Sequence, residues 1–486
     1  TSCVFLQWTM DKLTKTRFRK FLECPREFWL AAYHPEAFDP TIPPDIAFRI
    51  RQGYEVERIV KEYLKGKGDR EYEFQTSVET QRLIARFDVF VEGAEDQGSQ
   101  IYEIKSSKFI DPAEGKRKAD RLTRLYDVGF QVFAAREAGI NVSSAHLVTL
   151  NGDYRLEGAL DAEGFLVFED VTDEVNSLHD EIGENINLAL KLLDSKPPDG
   201  FENLCSKKLK CEYFEFEMPD LPHPTIFDIP RLHKKKASML LGAGILDVRE
   251  VPEDFPLTET QRDFVDFVKK GEKSIDRAAI LERLDSLEYP LYFLDYETVN
   301  PSIPQFEGMS PLQQITFQHS LHVLESPDGE LIHHEHLSDG AGIPPREIAE
   351  HLASVIGDTG SVLVWYKHFE MARNREMGEL FPEYAAFFES VNERIFDLYE
   401  IFSEKLYRDP ALKNNSLKSV LPLLVPELTY DGMNIGNGGL AMSLWYDEVY
   451  CAKDPVKKTK TMSDLKEYCC LDTLAMVRIL EVLGAI

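Results

Sequence analysis

No stretch of this sequence approaches the roughly eighteen consecutive apolar residues of a membrane-spanning helix, so a membrane-embedded class is not expected. The opening residues TSCVFLQWTMDKLTKTRFRK lack the charged-then-apolar order of a secretory signal, and a cytoplasmic location is expected. Cysteine is scarce: Cys3, Cys24, Cys205, Cys211, Cys451, Cys469 and Cys470 make seven, an odd number scattered along the chain, which does not read as a secreted disulfide framework. Positive charge is short as well. Lysine and arginine total 55 against 84 aspartates and glutamates, a net charge of −29, which excludes wrapping of nucleic acid by the whole surface. Any polyanion track must be local. The candidates are Lys105, Lys108, Lys116, Arg117, Lys118, Arg121 and Arg124 in one stretch, and Arg231, Lys234, Lys235 and Lys236 in another. Either run also reads as a solvated face.

The chain has 486 residues, of which 43% are hydrophobic and 29% charged, enough apolar material for packed cores and more length than one core organises. Residues 11–33 carry helical periodicity broken at Pro25 and predict two short helices around a turn. A longer helix is expected over 45–65, with Ile46, Ile50, Val56, Val60 and Leu64 as its inner face. Strand patterns follow in YEFQTSVET, RLIARFDVFVEG and SQIYEIKSS, then helix over 112–138 and further sheet in LEGALDAEGFLVFED. Proline and glycine concentrate over 193–229, and 231–285 reads as helical and hinge-like. From Leu291 a new pattern begins, with LYFLDYETV, ITFQHSLHVLE, ELIHHEHL and SVLVWY as strands, a helix at 346–356 before the last of these, and helices to the end. The expected division is a first domain over 1–230, a helical linker over 231–287 and a second domain over 288–486.

Two constellations carry chemistry. In RFDVFVEGAEDQGSQIYEIKSS, Asp88 lies on an apolar strand, and Glu103 and Lys105 share a face of the next one. If the strands pair, two carboxylates and an ammonium converge, an arrangement suited to holding Mg²⁺ or Mn²⁺ for phosphodiester hydrolysis with the lysine orienting or deprotonating water. The same pattern also arises as ion pairs on a half-exposed sheet. In LYFLDYETV, Asp295 and Glu297 face one side of an apolar strand, where a charged pair is expensive unless ligated or solvated. In SDLKEYCCLDTLAMVRIL, Tyr468 and Asp472 are one helical turn apart.

Residues 11–215 resemble the RecB-like branch of the PD-(D/E)XK nucleases, including its CRISPR-associated spacer-processing members. The likeness is carried by LTKTRFRKFLECPREFWL, RQGYEVERIV, FDVFVE…YEIKSSK and DVGFQVFAA. It implies a mixed sheet flanked by helices, with Asp88, Glu103 and Lys105 as the catalytic core. Glu57, four residues after Gly53, would be a helix-borne metal ligand, and Gln131 a supporting residue. Some members of that branch hold an iron–sulfur cluster through one cysteine in the C-P-R element and three after the core. Cys24, Cys205 and Cys211 match three of the positions. Glu217 stands where the fourth would fall, and Cys3 completes the set only if the N-terminus folds back. A cluster and buried unligated thiols both remain open.

Residues 288–486 resemble the DEDDy exonucleases of the DnaQ-like, RNase H-related α/β fold, through D-x-E at Asp295 and Glu297 and Y-x-x-x-D at Tyr468 and Asp472. The likeness implies two divalent metals held by four carboxylates, a tyrosine that positions water, and action from the 3′ end. Where the family usually has an aspartate after an aromatic residue, Phe369 is followed by Glu370. Asp397 in RIFDLYEIF reads as a helix-initiating or solvated acid, or as a substitute for the fourth ligand. The whole chain resembles a bacterial family that fuses a RecB-like nuclease to a DnaQ-like exonuclease domain, with NSLKSVLPLLVPEL and GMNIGNGGLAM as further matching segments. A metal-dependent nuclease acting on nucleic acid, DNA in preference to RNA, is expected. The rival expectation is a nucleic-acid-binding scaffold with degenerate sites, motivated by Glu370, the incomplete cysteine set and the acidic composition.

Overall fold

In the computed structural model, residues 12–94, 97–196, 212–217, 223–412 and 414–485 are described. They divide into two compact units, one formed by the described residues within 1–41 and 51–270 and the other by those within 42–50 and 271–486. The mixed α/β class expected from the sequence is present in both.

In the first unit, Thr14 caps the helix α1 (Lys15–Glu23) by accepting from the Arg17 amide. Proline cannot continue a helix, because its ring clashes with the preceding turn, so α1 gives way at extended Cys24 to α2 (Pro25–Tyr33). The helix α3 (Pro44–Lys67) comes next, and its residues from Arg51 onward belong to this unit. Among the described residues a six-stranded sheet follows the order β1 (Leu13–Thr14), β3 (Leu83–Val91), β4 (Ser99–Lys108), β5 (Val142–Leu150), β6 (Leu166–Asp170), with β2 (Glu73–Glu79) also paired to β3. The β3 and β4 strands are antiparallel, with Val89 opposite Tyr102, which brings Asp88 abreast of Glu103. The helix α4 (Lys118–Glu137) packs on this sheet, and Phe18 of α1 stacks on Phe130 of α4 at 5.2 Å in a core shared with α5 (His179–Leu193).

Three expectations need correction here. Residues 156–161 form no strand, and the strand begins only at Leu166, after a helical turn at Ala162–Phe165. Ile46 and Ile50 are 40% and 43% exposed, and Phe48 is the buried residue of that segment. Val56, Val60 and Leu64 are buried as expected. The segment from 231 is not a hinge. Leu240 of α6 (Lys234–Gly242) and Val265 of α7 (Glu259–Lys270) share a core with Cys24, Trp29 and Leu30, so burial of these apolar residues extends the first unit to Lys270.

The second unit is built on a five-stranded sheet in the order β9 (Leu331–Leu337), β8 (Ile315–Leu324), β7 (Leu291–Val299), β10 (Ser361–Val364), β11 (Ile395–Asp397). The first three strands are antiparallel, and β10 is parallel to both β7 and β11. Strand alternation sorts β7 between two cores. Tyr292, Leu294 and Tyr296 pack with α8 (Pro344–Val355) and α9 (Lys367–Leu380), while Leu291 and Phe293 pack with α10 (Leu417–Leu424) and α12 (Pro455–Gly484). Asp295 and Glu297 have the same parity as Leu291 and Phe293 and therefore face α12. A short helix, α11 (Gly438–Leu444), precedes α12.

Candidate functional site

The first unit gathers Asp88, Glu103, Lys105, Gln131 and Glu57. Glu103, 2% exposed, accepts from Lys105 Nζ at 2.8 Å, from Lys15 Nζ and from Gln131 Nε2. Asp88 Oδ2 accepts the Ile104 amide at 2.8 Å. Gln75 Nε2 lies 2.7 Å from Glu57 Oε1 and 3.4 Å from Asp88 Oδ1, and so links the helix acid to the strand acid. Gln75 falls opposite Asp88 in an unshifted β2–β3 register and adopts φ of 58°, a left-handed backbone that costs about 1–3 kcal/mol.

The sequence reading missed Lys15, Gln75 and Asp127. Asp127, buried on α4 one turn before Gln131, accepts a hydrogen bond from Lys105 and sits 3.5 Å from Arg19 Nε. Its shared helix face with Gln131 in DVGFQ is the one signal that could have found it.

Burial, the neighbouring charge of Glu103 and that of Glu57 push the Asp88 carboxyl up to about 7, against the pull of Lys15 and the Ile104 amide. Burial would raise Glu103 too, but Lys105 and Lys15 outweigh it and hold it at about 2. For Lys105 burial is likewise outweighed, by Glu103 and Asp127, and its pKa is raised, so the group remains an ammonium.

In the second unit, carboxylate oxygens of Asp295, Glu297 and Asp472 lie within 4.8 Å of one another. Glu370 projects from the first turn of α9, is 2% exposed, and its Oε2 is buried without a hydrogen-bond partner among the described residues. Burial raises the pKa of Glu370, and Asp295 is the first charge to add to that effect. Burial followed by Asp472 raises Asp295, burial followed by Asp295 raises Glu297, and burial lifts Asp472 to about 6. Such a set of acids is electrostatically incomplete without positive charge.

Asp397 does not join them. Its two oxygens each accept a backbone amide, from Tyr366 and Lys367, at 2.9 Å, and Tyr399 N adds a third at 3.1 Å. It anchors the start of α9, next to left-handed Tyr366, and thereby fixes the turn that carries Glu370.

Tyr468 is buried beside this set. Its hydroxyl accepts from Lys418 Nζ at 2.8 Å, and the same ammonium donates to Gly436 O at 2.8 Å. Tyr430 donates its hydroxyl to Asp472, and Cys469 Sγ donates to Asp295 Oδ2 at 3.7 Å. A groove of about 510 Å³ opens onto Glu297 and is lined by Arg49, Asn300, Gln314, Phe369 and Asn437. Gly438, at the start of α11, lies against Glu297, where an added Cβ would meet Oε2 at an ordinary contact distance of 3.5 Å. Lys418 and Gly438 come from the segments NSLKSV and GNGGLAM, which the sequence reading singled out without giving them roles.

Arg121 leaves the candidate basic track, because it is buried and held by Glu169 and Glu174. Cys24 is buried and its Sγ accepts the Glu27 amide at the start of α2. Cys205, Cys211 and Cys3 lie outside the described residues. No described helix is long and apolar enough to cross a membrane.

Residues 292–416 match the family described as a domain of unknown function (DUF2779). The match takes in Asp295, Glu297 and Glu370 and ends before Lys418, Tyr468 and Asp472. A protein of Mycoplasma pneumoniae named "Uncharacterized protein MG366 homolog" is 28% identical over 212 residues, which cover 40% of this chain and 32% of that protein. The chain thus spans about a third of that relative's length. No solved structure matches.

Proposed function

We propose that this protein is a metal-dependent nuclease with two hydrolytic sites. In this reading the first unit is a RecB-like PD-(D/E)XK nuclease and the second a DnaQ-like, RNase H-related exonuclease acting from the 3′ end, with DNA as the favoured substrate. The observation that carries the reading is the Asp295, Glu297 and Asp472 cluster, together with the buried, unpartnered oxygen of Glu370. Three acids gathered at one place, with Glu370 close enough for Asp295 to raise its pKa and a single lysine nearby, suit divalent cations better than any arrangement of side chains alone.

Asp295, Glu297, Glu370 and Asp472 would hold Mg²⁺ or Mn²⁺, as would Asp88, Glu103 and Glu57 in the first unit, and the cations would supply Lewis acidity toward phosphate and water. The protein's own groups then divide the remaining work. The Tyr468 oxygen accepts from Lys418 and its O–H is directed to Asp472, which would hold the phenol beside the carboxylates to position a water or a phosphate oxygen. Lys105 stays protonated between Glu103 and Asp127, which suits it to offset phosphate charge and orient water; removal of a proton does not suit it.

Incubation of the full chain with end-labelled single- and double-stranded DNA and RNA in Mn²⁺ tests this reading. Metal-dependent shortening that is lost in the Lys105→Ala plus Asp295→Asn double variant is expected. Tight binding without cleavage in Mg²⁺ or Mn²⁺ would replace the reading with a nucleic-acid-binding scaffold.

A further inference from the structure

On the same side of the β7–β9 sheet that faces α12, one strand further from β7, lies a second polar group that the nuclease chemistry leaves unused. His322 of β8 and His333 of β9 are directly opposite in the antiparallel register, and their rings stack at 4.5 Å. Cys470 of α12 completes a trio whose ligand atoms lie within 4.8 Å of one another. Its Sγ is 3.8 Å from His333 Nδ1.

The hydrogen bonds around the trio assign both tautomers. Thr473 Oγ1 donates to Cys470 O at 3.2 Å, so it accepts from His322 Nδ1–H at 2.8 Å and from the Ser320 hydroxyl at 2.7 Å. Ser320 Oγ, having donated its proton, accepts from His333 Nε2–H at 2.9 Å. Each imidazole therefore carries its proton on the nitrogen held by a hydroxyl. The lone pairs of His322 Nε2 and His333 Nδ1 are directed elsewhere. Metal-binding histidines are oriented in this way, with the second nitrogen fixed by a neighbouring acceptor. Burial, then the charge of His333, lowers His322 to about 4, which keeps it in the neutral form that binds metal.

We propose that His322, His333 and Cys470 bind Zn²⁺. Two imidazoles and a thiolate form a borderline-soft donor set that Zn²⁺ prefers and Mg²⁺ does not. On binding, Cys470 loses its thiol proton to solvent, and three protein ligands leave one tetrahedral position for water. The ion would clip α12 to β8 and β9, and α12 is the helix that carries Tyr468 and Asp472. The binding claim stands independently of the nuclease reading.

Titration of the chelator-treated full chain with Co²⁺ as a spectroscopic substitute tests the site. A thiolate-to-cobalt charge-transfer band that saturates near about one ion per chain and is displaced by Zn²⁺ is expected. The band should vanish in Cys470→Ser and weaken at least about tenfold in affinity in His333→Gln. It should persist in Asp295→Asn and in a Cys205→Ser plus Cys211→Ser variant, which separates it from the carboxylate site and from the other cysteines. Absence of a thiolate band in the wild type, or a band unchanged in Cys470→Ser, would overturn the proposal, and neither outcome depends on nuclease activity.

Discussion

The ammonium of Lys418 donates to the phenol oxygen of Tyr468 at 2.8 Å and also lies 4.6 Å from the centre of that ring. One cation thus fixes both the position of the ring and the direction of its remaining O–H. Lys418 acts as a positioning residue, since its contacts are Tyr468, Tyr430 and a carbonyl.

Lys418→Met is therefore expected to lower kcat for 3′-end degradation by about 10- to 100-fold while leaving KM within a few-fold. Tyr468→Phe should produce a loss of the same order, and the double variant should lose no more than either single one, because the two act as a unit. Steady-state kinetics on a labelled single strand check this. Additive losses would show that Lys418 works by some route other than Tyr468.

Glu370 carries the next expectation. Its buried Oε2 has no partner, so Glu370→Gln should remove charge at little steric cost and lower exonuclease activity by about 100-fold or more. Asp397→Ala should behave differently, with a stability loss of about 1–2 kcal/mol from the uncapped start of α9 and a partial activity loss that follows Glu370 out of place. Denaturant melts run beside activity assays separate the two. Full activity in Glu370→Ala would show that the middle ligand lies elsewhere.

These two acids also show what the sequence could and could not tell. Asp295 and Glu297 stood out because ionised groups on an apolar strand must be ligated or solvated, a constraint visible in nine residues. The spacing of Tyr468 and Asp472 was visible for the same local reason, that one helical turn brings them together. The structural role of Asp397 was one of several left open, because a capping bond depends on where β11 ends relative to α9. Lys15, Gln75, Lys418 and Tyr430 were invisible as site residues. Each is an ordinary polar residue brought in by tertiary pairing, and Gln75 adopts a left-handed backbone conformation that no periodicity signals. The strand at Val142–Leu150 was left unassigned because VSSAHLVTL opens with small polar residues, and its sheet neighbours supply the hydrogen bonds that its own pattern does not announce. Similarly, Ile46 and Ile50 fitted a helical stripe, but Phe48 took the buried place.

Metal and pH should act together on stability. Asp88 and Asp472 have folded pKa values of about 7 and about 6, above the ordinary aspartate value, so the folded state holds their protons more tightly. Their contribution is full below the unfolded pKa and is lost as pH rises through the folded pKa. Glu103, held at about 2, has the opposite sign and matters only when pH falls below its unfolded value. Without metal the protein should therefore lose stability between about pH 4 and about pH 7, and Mn²⁺ should raise Tm more at about pH 8 than at about pH 5.5. Thermal melts with Mn²⁺ and with chelator at both pH values check this. An Mn²⁺ effect that is larger at the lower pH would contradict carboxylate ligation.

The most direct measurement of two separate hydrolytic sites compares Lys105→Ala, Asp295→Asn and their combination on 3′-labelled and 5′-labelled DNA in Mn²⁺. Each single substitution removes groups from one cluster and leaves the other cluster's residues intact, so each single variant should lose one product pattern and keep the other, and the double variant should lose both. Loss of all cleavage in either single variant, or cleavage by the double variant at the wild-type rate, would contradict the account.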